Sequence, residues 1–178
     1  MKYNFNMYNP VSFIQVNQKK AFAATVELNN LVKKKQEYVC LITEPYTYKG
    51  KVCATPPGGC VLTAGVDSRA GIIASKPLNL IKIDHLTNKD CTVALLKLNG
   101  KRILIASVYL DIKKEVVPSW LEEVTKYAES KKYSLIIGAD TNAHSTLYGL
   151  ETNSRGEELE SFIINNAFSI ENLSLIHI

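Results

Sequence analysis

Hydrophobic positions along the chain switch between a period of two and a period near three and a half, and the switches mark the elements. Val11 to Val16 alternates imperfectly and predicts a first strand ending at the polar residue Asn17. From Gln18 to Gln36 the spacing becomes helical, through Ala21, Ala24, Leu28, Leu31 and Val32, with Asn17 as the expected cap. Lys33, Lys34 and Lys35 then fall in the last turn, where cations suit the helix dipole. Tyr38 to Ile42 is a second short apolar run, closed by Glu44 and Pro45. Tyr46 to Gly59, with two prolines and three glycines, predicts a long surface loop.

Arg69 to Ser75, Leu78 to Ile83, Cys91 to Leu98 and Lys101 to Tyr109 read as strands, the last two joined by Asn99-Gly100, a two-residue hairpin signal. Pro118 suits a first helical turn, and Val117, Trp120, Leu121, Val124, Tyr127 and Ala128 supply an apolar face through Lys131. Tyr133 to Ala139 is the next strand. Ser154 and Glu157 have capping-box spacing before the stripe Leu159, Phe162 and Ile163, so a third helix is expected to end near Asn166, with Phe168 to Ile170 beginning a further strand. Strands that follow one another without helices require antiparallel pairs, and the opening strand, helix, strand order suggests a parallel one, so the sheet is expected to be mixed. That excludes a simple Rossmann domain, and there is no G-x-G-x-x-G run.

Composition narrows the class only a little. A chain of 178 residues, 46% hydrophobic and 21% charged, suits one folded domain rather than a disordered segment. The net charge of +4 is compatible with a polyanionic partner without demanding one. Cys40, Cys53, Cys60 and Cys91 form no C-x-x-C pair, so reduced, mostly buried thiols are expected rather than a zinc knuckle or a disulfide framework. The N-terminus lacks the apolar core of a signal peptide, and no apolar run approaches membrane-spanning length, so the expected setting is intracellular with no membrane partner.

Candidate chemistry concentrates in Leu135 to Gly149, LIIGADTNAHSTLYG. After the strand, Asp140, Asn142 and His144 alternate, so an extended segment would point all three into one cleft. An acid, an amide and an imidazole at a strand exit suit hydrolysis, while a solvated turn held by Asp and Asn is the plainer alternative. The other strand exits carry Asn17, Glu44 and Tyr109. Alone, a Glu before a Pro reads as a turn residue and a Tyr at a strand end as packing. Together the set could hold a hard divalent cation on oxygen and bind a phosphate.

The order Asn17, Glu44-Pro45-Tyr46, Val108-Tyr109 and Gly138-Ala139-Asp140-Thr141-Asn142-Ala143-His144 resembles the endonuclease/exonuclease/phosphatase superfamily. The G-x-D-x-N-A-H run, with Tyr148-Gly149 and Arg155-Gly156 after it, is similar to the endonuclease domains of non-LTR retrotransposons. The resemblance implies a DNase I-like, four-layered α/β sandwich of two mixed β-sheets flanked by helices. It also implies a nick in double-stranded DNA dependent on Mg²⁺ (or Mn²⁺), leaving a 3′ hydroxyl that primes a reverse transcriptase encoded downstream, and a nuclear site of action. By position, Glu44 would bind the metal, with Asn17 supporting it or the phosphate. Tyr109 and Asn142 would contact the scissile phosphate, Asp140 would orient and deprotonate the attacking water, and Arg155 would contact substrate. His144 matches the branch motif without being the superfamily's catalytic histidine, and is read either as a loop-shaping residue or as a participant in the chemistry.

Departures from the pattern carry expectations of their own. Lys19 stands where relatives carry an acid, Thr43 where they carry a Gln, and Ser145 and Tyr148 where a His and a Trp are common. The family continues through further strands to a closing Ser-Asp-His, whereas this sequence ends at Ile178 in LSLIHI. Residues 1–178 are therefore expected to form a single domain incomplete at its C-terminus, with 173–178 a non-native tail, exposed sheet edges and no useful nicking rate. Two other readings stand beside this one. One is a phosphatase of the same superfamily acting on a small phosphate ester. The other is a non-catalytic DNA-binding remnant using scattered pairs such as Lys19-Lys20 and Lys113-Lys114.

Overall fold

The computed structural model describes residues 10–148 and 150–171. In chain order these form β1 (Val11–Asn17), α1 (Phe22–Val32), β2 (Glu37–Thr43), β3 (Thr47–Tyr48), β4 (Lys51–Val52), β5 (Gly59–Thr63) and β6 (Ala70–Ser75). Then come β7 (Leu80–Lys82), β8 (Cys91–Leu98), β9 (Lys101–Tyr109), α2 (Ser119–Lys131), β10 (Ser134–Asp140) and α3 (Ser154–Asn165). Two four-stranded sheets result, ordered β1-β2-β6-β5 and β10-β9-β8-β7. In each, one outer pair is parallel, β1 with β2 and β10 with β9, and the remaining pairs are antiparallel. Both sheets are thus mixed, as the order of elements required.

The sheets pack face to face. Val39, Leu41, Ile72 and Ala74 of the first sheet meet Ala94, Leu96 and Ile105 of the second. Alternate residues of the same strands turn outward: Tyr38, Cys40, Ile42 and Ile73 pack under Leu28 and Val32 of α1. On the far side, Val93, Leu104 and Val108 pack under Leu121, Val124 and Ala128 of α2 and Leu159 of α3. This is the four-layered sandwich, and it explains why Tyr38 to Ile42 reads as an unbroken apolar run: a strand covered on both faces has no solvent side to keep polar. Fully buried Ile42, Ile72 and Ile105 each contribute roughly 1.5–3 kcal/mol by leaving water. Two hydroxyls interrupt the inter-sheet layer without an unpaired cost, because each donates to a carbonyl of the opposite sheet. Ser107 Oγ donates to the Ile42 carbonyl and Thr92 Oγ1 to that of Ala70, both at 2.9 Å.

Several elements differ from the sequence expectation for identifiable reasons. Helix α1 begins at Phe22, and its cap residue Ala21 makes no side-chain capping bond. Asn17 does not cap it: the helix starts too far along the chain, and the Asn17 Oδ1 that a cap would use accepts the Lys19 N–H instead. Lys33 is the C-cap of α1, so Lys34 and Lys35 lie beyond the helix. The stretch Tyr46 to Gly59 is not a plain loop: β3 and β4 make a small hairpin, and Gly59 opens β5, a strand that the periodicity did not reveal. Leu78 to Ile83 yields only the short β7. Asn153, not Ser154, caps α3, its side chain accepting the Gly156 N–H at 2.8 Å. Phe168 to Ile170 is not a strand; the Phe168 ring packs 5.8 Å from that of Phe162. The Asn99-Gly100 turn matches its reading, with φ of 50° and 75° as a type I′ hairpin requires. Cys40 and Cys91 are buried, Cys53 is half-buried and Cys60 exposed, so only half of the thiols are deep. Gly149 and the tail 173–178 fall outside the described residues. Among the described residues no helix is long and apolar enough to cross a membrane.

Outer strands β1 and β10 lie on the same side of the sandwich. Beside them runs an apolar trough of about 740 Å³, lined among others by Phe13, Leu41, Leu135, Ile137, Phe162 and Phe168. The ionisable residues converge elsewhere, at the ends of the same strands.

Candidate active site

The two parallel pairs finish in step. Asn17 is the register partner of Thr43, and Asp140 that of Tyr109. Parallel strands bring their C-terminal ends to one edge, so the last residues of both sheets face a common rim, the usual ligand position of an open α/β layer. Glu44 follows β2 with φ of 45°, in the left-handed region although it is neither glycine nor asparagine. That conformation costs roughly 1–2 kcal/mol, and the following Pro45 disfavours it further. It is held by two backbone bonds of 2.8 Å, the Glu44 N–H donating to the Arg69 carbonyl and the Lys20 N–H to the Glu44 carbonyl. Strain so held turns the carboxylate toward Asn17 rather than out along the strand.

Asn17 is the centre of the arrangement. Its Nδ2 donates to Glu44 Oε2 at 3.0 Å and also to Asp140 Oδ2, while its Oδ1 accepts the Lys19 N–H at 2.7 Å. In this orientation both carboxylates have a donor; the flipped amide would aim its oxygen at two anions. The other Asp140 oxygen accepts the Asn142 N–H at 3.4 Å. Tyr109 is half-buried beside them. Burial raises its phenol above the ordinary range, and the Glu44 charge raises it further, so it is a protonated donor at neutral pH.

The loop after β10 is built differently from an extended segment. Asn142 takes φ of 46°, which turns the chain and ends the alternation, and its Nδ2 donates to the Leu110 carbonyl at 3.0 Å. Asp140 and Asn142 therefore stay together at the rim, but His144 does not join them. It is exposed, and its backbone N–H and carbonyl are both taken by Asn153. Arg155 folds back over the loop, donating to the carbonyls of Asn142 at 3.2 Å, Lys114 at 2.8 Å, Asp111 at 3.3 Å and Ile112 at 3.4 Å. Its guanidinium thus ties the β10 loop to the segment after β9.

One group at the rim was not singled out by its spacing. Arg69 forms a forked ion pair with Asp90, bonds to Asp111 and lies over the Tyr109 ring, its carbon 4.6 Å from the centroid. These partners are scattered over the sequence, and no local pattern connects them. An arginine directly before a largely apolar strand was the available signal.

The donor set suits a hard cation better than a soft one. Glu44 and Asp140 converge on one amide, and among the described residues no group of three or more His, Cys, Asp and Glu side chains is placed to hold a metal. Zinc requires a fuller set of nitrogen or sulfur ligands. Mg²⁺ is commonly held by one or two carboxylates while keeping several waters, a set that Glu44 with Asn17 beside it fits.

The family model described as endonuclease-reverse transcriptase matches residues 103–175, which include Tyr109, Asp140, Asn142 and Arg155. Among solved structures, the endonuclease domain of TRAS1, a telomere-specific non-LTR retrotransposon, is similar with a TM-score of 0.76 and 26% identity over 93% of this chain and 74% of that one. A humanized D. rerio TDP2 is similar at a TM-score of 0.55 and 12% identity, over 90% of this chain and 68% of its own, a likeness of fold alone. No curated protein matches the sequence. Motif order, family model and architecture agree: over residues 103–175 the chain is similar to the endonuclease-reverse transcriptase family, and over 93% of its length to the endonuclease domain of a non-LTR retrotransposon.

Proposed function

We propose that this domain serves a Mg²⁺-dependent (or Mn²⁺-dependent) endonuclease that nicks double-stranded DNA, leaving a 3′ hydroxyl for a reverse transcriptase on the same polypeptide. Such a substrate sets its action in the nucleus. The observation that carries the reading is the single Asn17 amide joined to Glu44 and Asp140, one from each sheet. A metal bound here supplies charge neutralisation to the phosphate oxygens. Glu44 and Asn17 would hold it.

The chain's own residues divide the remaining work. Asp140, held by the Asn17 amide and the Asn142 N–H, is oriented to fix a water in line with the phosphorus and take its proton as the P–O3′ bond breaks. The Tyr109 hydroxyl, kept protonated by burial, donates to a non-bridging oxygen. Asn142 faces the same phosphate from the loop, and Arg155 holds that loop in place. The departing O3′ needs a proton. Among the described residues, His85 stacks on the Tyr127 ring and His144 sits on the exposed loop, and neither side chain bonds to Asn17, Glu44, Tyr109 or Asp140. With neither of these two histidines at that position, slow nicking is expected.

The test separates binding from turnover. Mn²⁺ affinity of the purified chain, read by electron paramagnetic resonance, is expected to fall at least about tenfold in Glu44→Gln. Relaxation of supercoiled plasmid in Mg²⁺ is expected to be marginal and to vanish in Asp140→Asn. Mn²⁺ binding indifferent to Glu44→Gln would falsify the metal assignment. DNA binding with a steep salt dependence but no metal dependence would favour the non-catalytic remnant instead.

A further inference from the structure

We propose that Arg69 is the positioning residue of the phosphodiester site, fixing the Tyr109 ring and through it the phenol that meets the phosphate; this role rests on the endonuclease reading above. Arg69 stands directly before β6 and Asp90 directly before β8. Each continues its sheet by one bond. The Glu44 N–H donates to the Arg69 carbonyl and the Tyr109 N–H to the Asp90 carbonyl, both at 2.8 Å. Arg69 is therefore the neighbour of Glu44 in one sheet, and Asp90 the neighbour of Tyr109 in the other.

The side chains then meet between the sheets. Arg69 Nε and Nη2 fork onto the two Asp90 oxygens at 2.5 and 2.6 Å, and Nη1 donates to Asp111 Oδ2 at 2.7 Å. The Arg69 N–H donates to the Lys89 carbonyl at 2.7 Å, so backbone and head group are both anchored. With its edge committed to carboxylates, the guanidinium presents its flat face to the Tyr109 ring. A planar fork that also stacks is specific to arginine; a lysine ammonium supplies the charge but neither the fork nor the face.

Charge decides between positioning and direct phosphate binding. Arg69 and Lys114 face Asp90 and Asp111, two cations against two carboxylates, with Lys114 Nζ 3.4 Å from Asp90. A neutralised guanidinium has little left for a phosphate. What it does hold is the aromatic ring at the last residue of β9, where the strand no longer restrains it. A ring already fixed loses less freedom when the phosphate arrives.

The test is a double-mutant cycle read by binding. Affinity for a short fluorescein-labelled DNA duplex in Mn²⁺ is measured by anisotropy for wild type, Arg69→Ala, Arg69→Lys, Tyr109→Phe and the combined variants. Arg69→Ala and Arg69→Lys are each expected to weaken binding about tenfold, but by less than about twofold once Tyr109 is Phe, because the hydroxyl they position is gone. Asp111→Asn, which spares the Asp90 fork, is expected to show a smaller loss with the same dependence on Tyr109, and it carries the test if Arg69→Ala does not fold. Equal losses in both backgrounds, or wild-type affinity in Arg69→Lys, overturn the role while leaving the endonuclease reading intact. No duplex binding by the wild-type chain overturns both.

Discussion

Asn17 at the end of one sheet donates a hydrogen bond to Asp140 at the end of the other, across 123 positions of sequence. The same nitrogen serves Glu44, so a neutral side chain occupies the place between two carboxylates. Removing it leaves two partly buried anions facing each other without a donor. Asn17→Ala is expected to lose about 1.5–3 kcal/mol of stability in metal-free buffer, as for hydrogen bonds to charged groups. Mg²⁺ should enlarge that loss, because the wild type gains stability from a cation that Glu44 and Asn17 would hold and the variant gains less. Urea unfolding with and without Mg²⁺ measures both; equal losses in the two conditions would argue against a cation at this rim.

Gly156 meets His144 more closely than any side chain allows. A Cβ built there would lie 1.7 Å from the His144 carbonyl oxygen, and that oxygen belongs to backbone already bonded to Asn153. Gly156→Ala must displace either the loop after β10 or the start of α3. A cost of about 3 kcal/mol is expected, at the upper end for overpacking. Thermal unfolding followed by circular dichroism checks the size, and hydrogen exchange should lose protection across Ala143 to Glu160 first.

Gly100 provides the contrast. Its φ is 75°, but nothing lies within 4 Å of the position a Cβ would take, so Gly100→Ala meets only the left-handed backbone penalty. About 1 kcal/mol is expected. A chemical-denaturation loss as large as that of Gly156→Ala would show that the β8–β9 turn is more constrained than its open surroundings indicate.

The buried thiols should govern alkaline stability. Burial pushes both Cys40 and Cys91 up to about 12 from an ordinary value of 9.0. With the folded value raised, their contribution is complete below about pH 9 and is lost as pH rises toward 12, because the unfolded chain releases these protons first. Stability measured by urea unfolding should therefore fall across that window, and the Cys40→Ala/Cys91→Ala variant should flatten the fall. At neutral pH, a thiol-reactive disulfide reagent should label Cys60 first and reach Cys40 and Cys91 only on unfolding.

How much of this was legible depended on whether a residue's meaning was local. Glu44, Tyr109 and Asp140 stood out because each follows an apolar run, and a strand end is visible in the pattern of its own neighbours. Asn17 was visible for the same reason but carried the wrong local role: it reads as a helix cap, whereas α1 starts at Phe22 and the Asn17 amide is spent on Lys19, Glu44 and Asp140. Asn142 and His144 share a period of two, yet the left-handed φ of Asn142 cancels that period, which no apolar spacing could announce. Strand β5 was missed because it is a half-exposed edge strand, fixed by its pairing with β6 rather than by a buried face of its own. Arg69 was out of reach altogether, since its function comes from Asp90, Tyr109 and Asp111, all distant in sequence.

The hydroxyls of Ser107 and Thr92 have a further consequence for the rim. An apolar interface between two sheets has no directional preference and resists separation better than sliding. Two hydrogen bonds across that interface, to the carbonyls of Ile42 and Ala70, act as detents that stop one sheet from creeping along the other. A slip of one residue would bring Tyr109 alongside Thr43 instead of Glu44 and would part Asn17 from Asp140. The accuracy of the site is thus stored in the dry interior beneath it, where exchanging a serine for an alanine would change the alignment of groups it never touches.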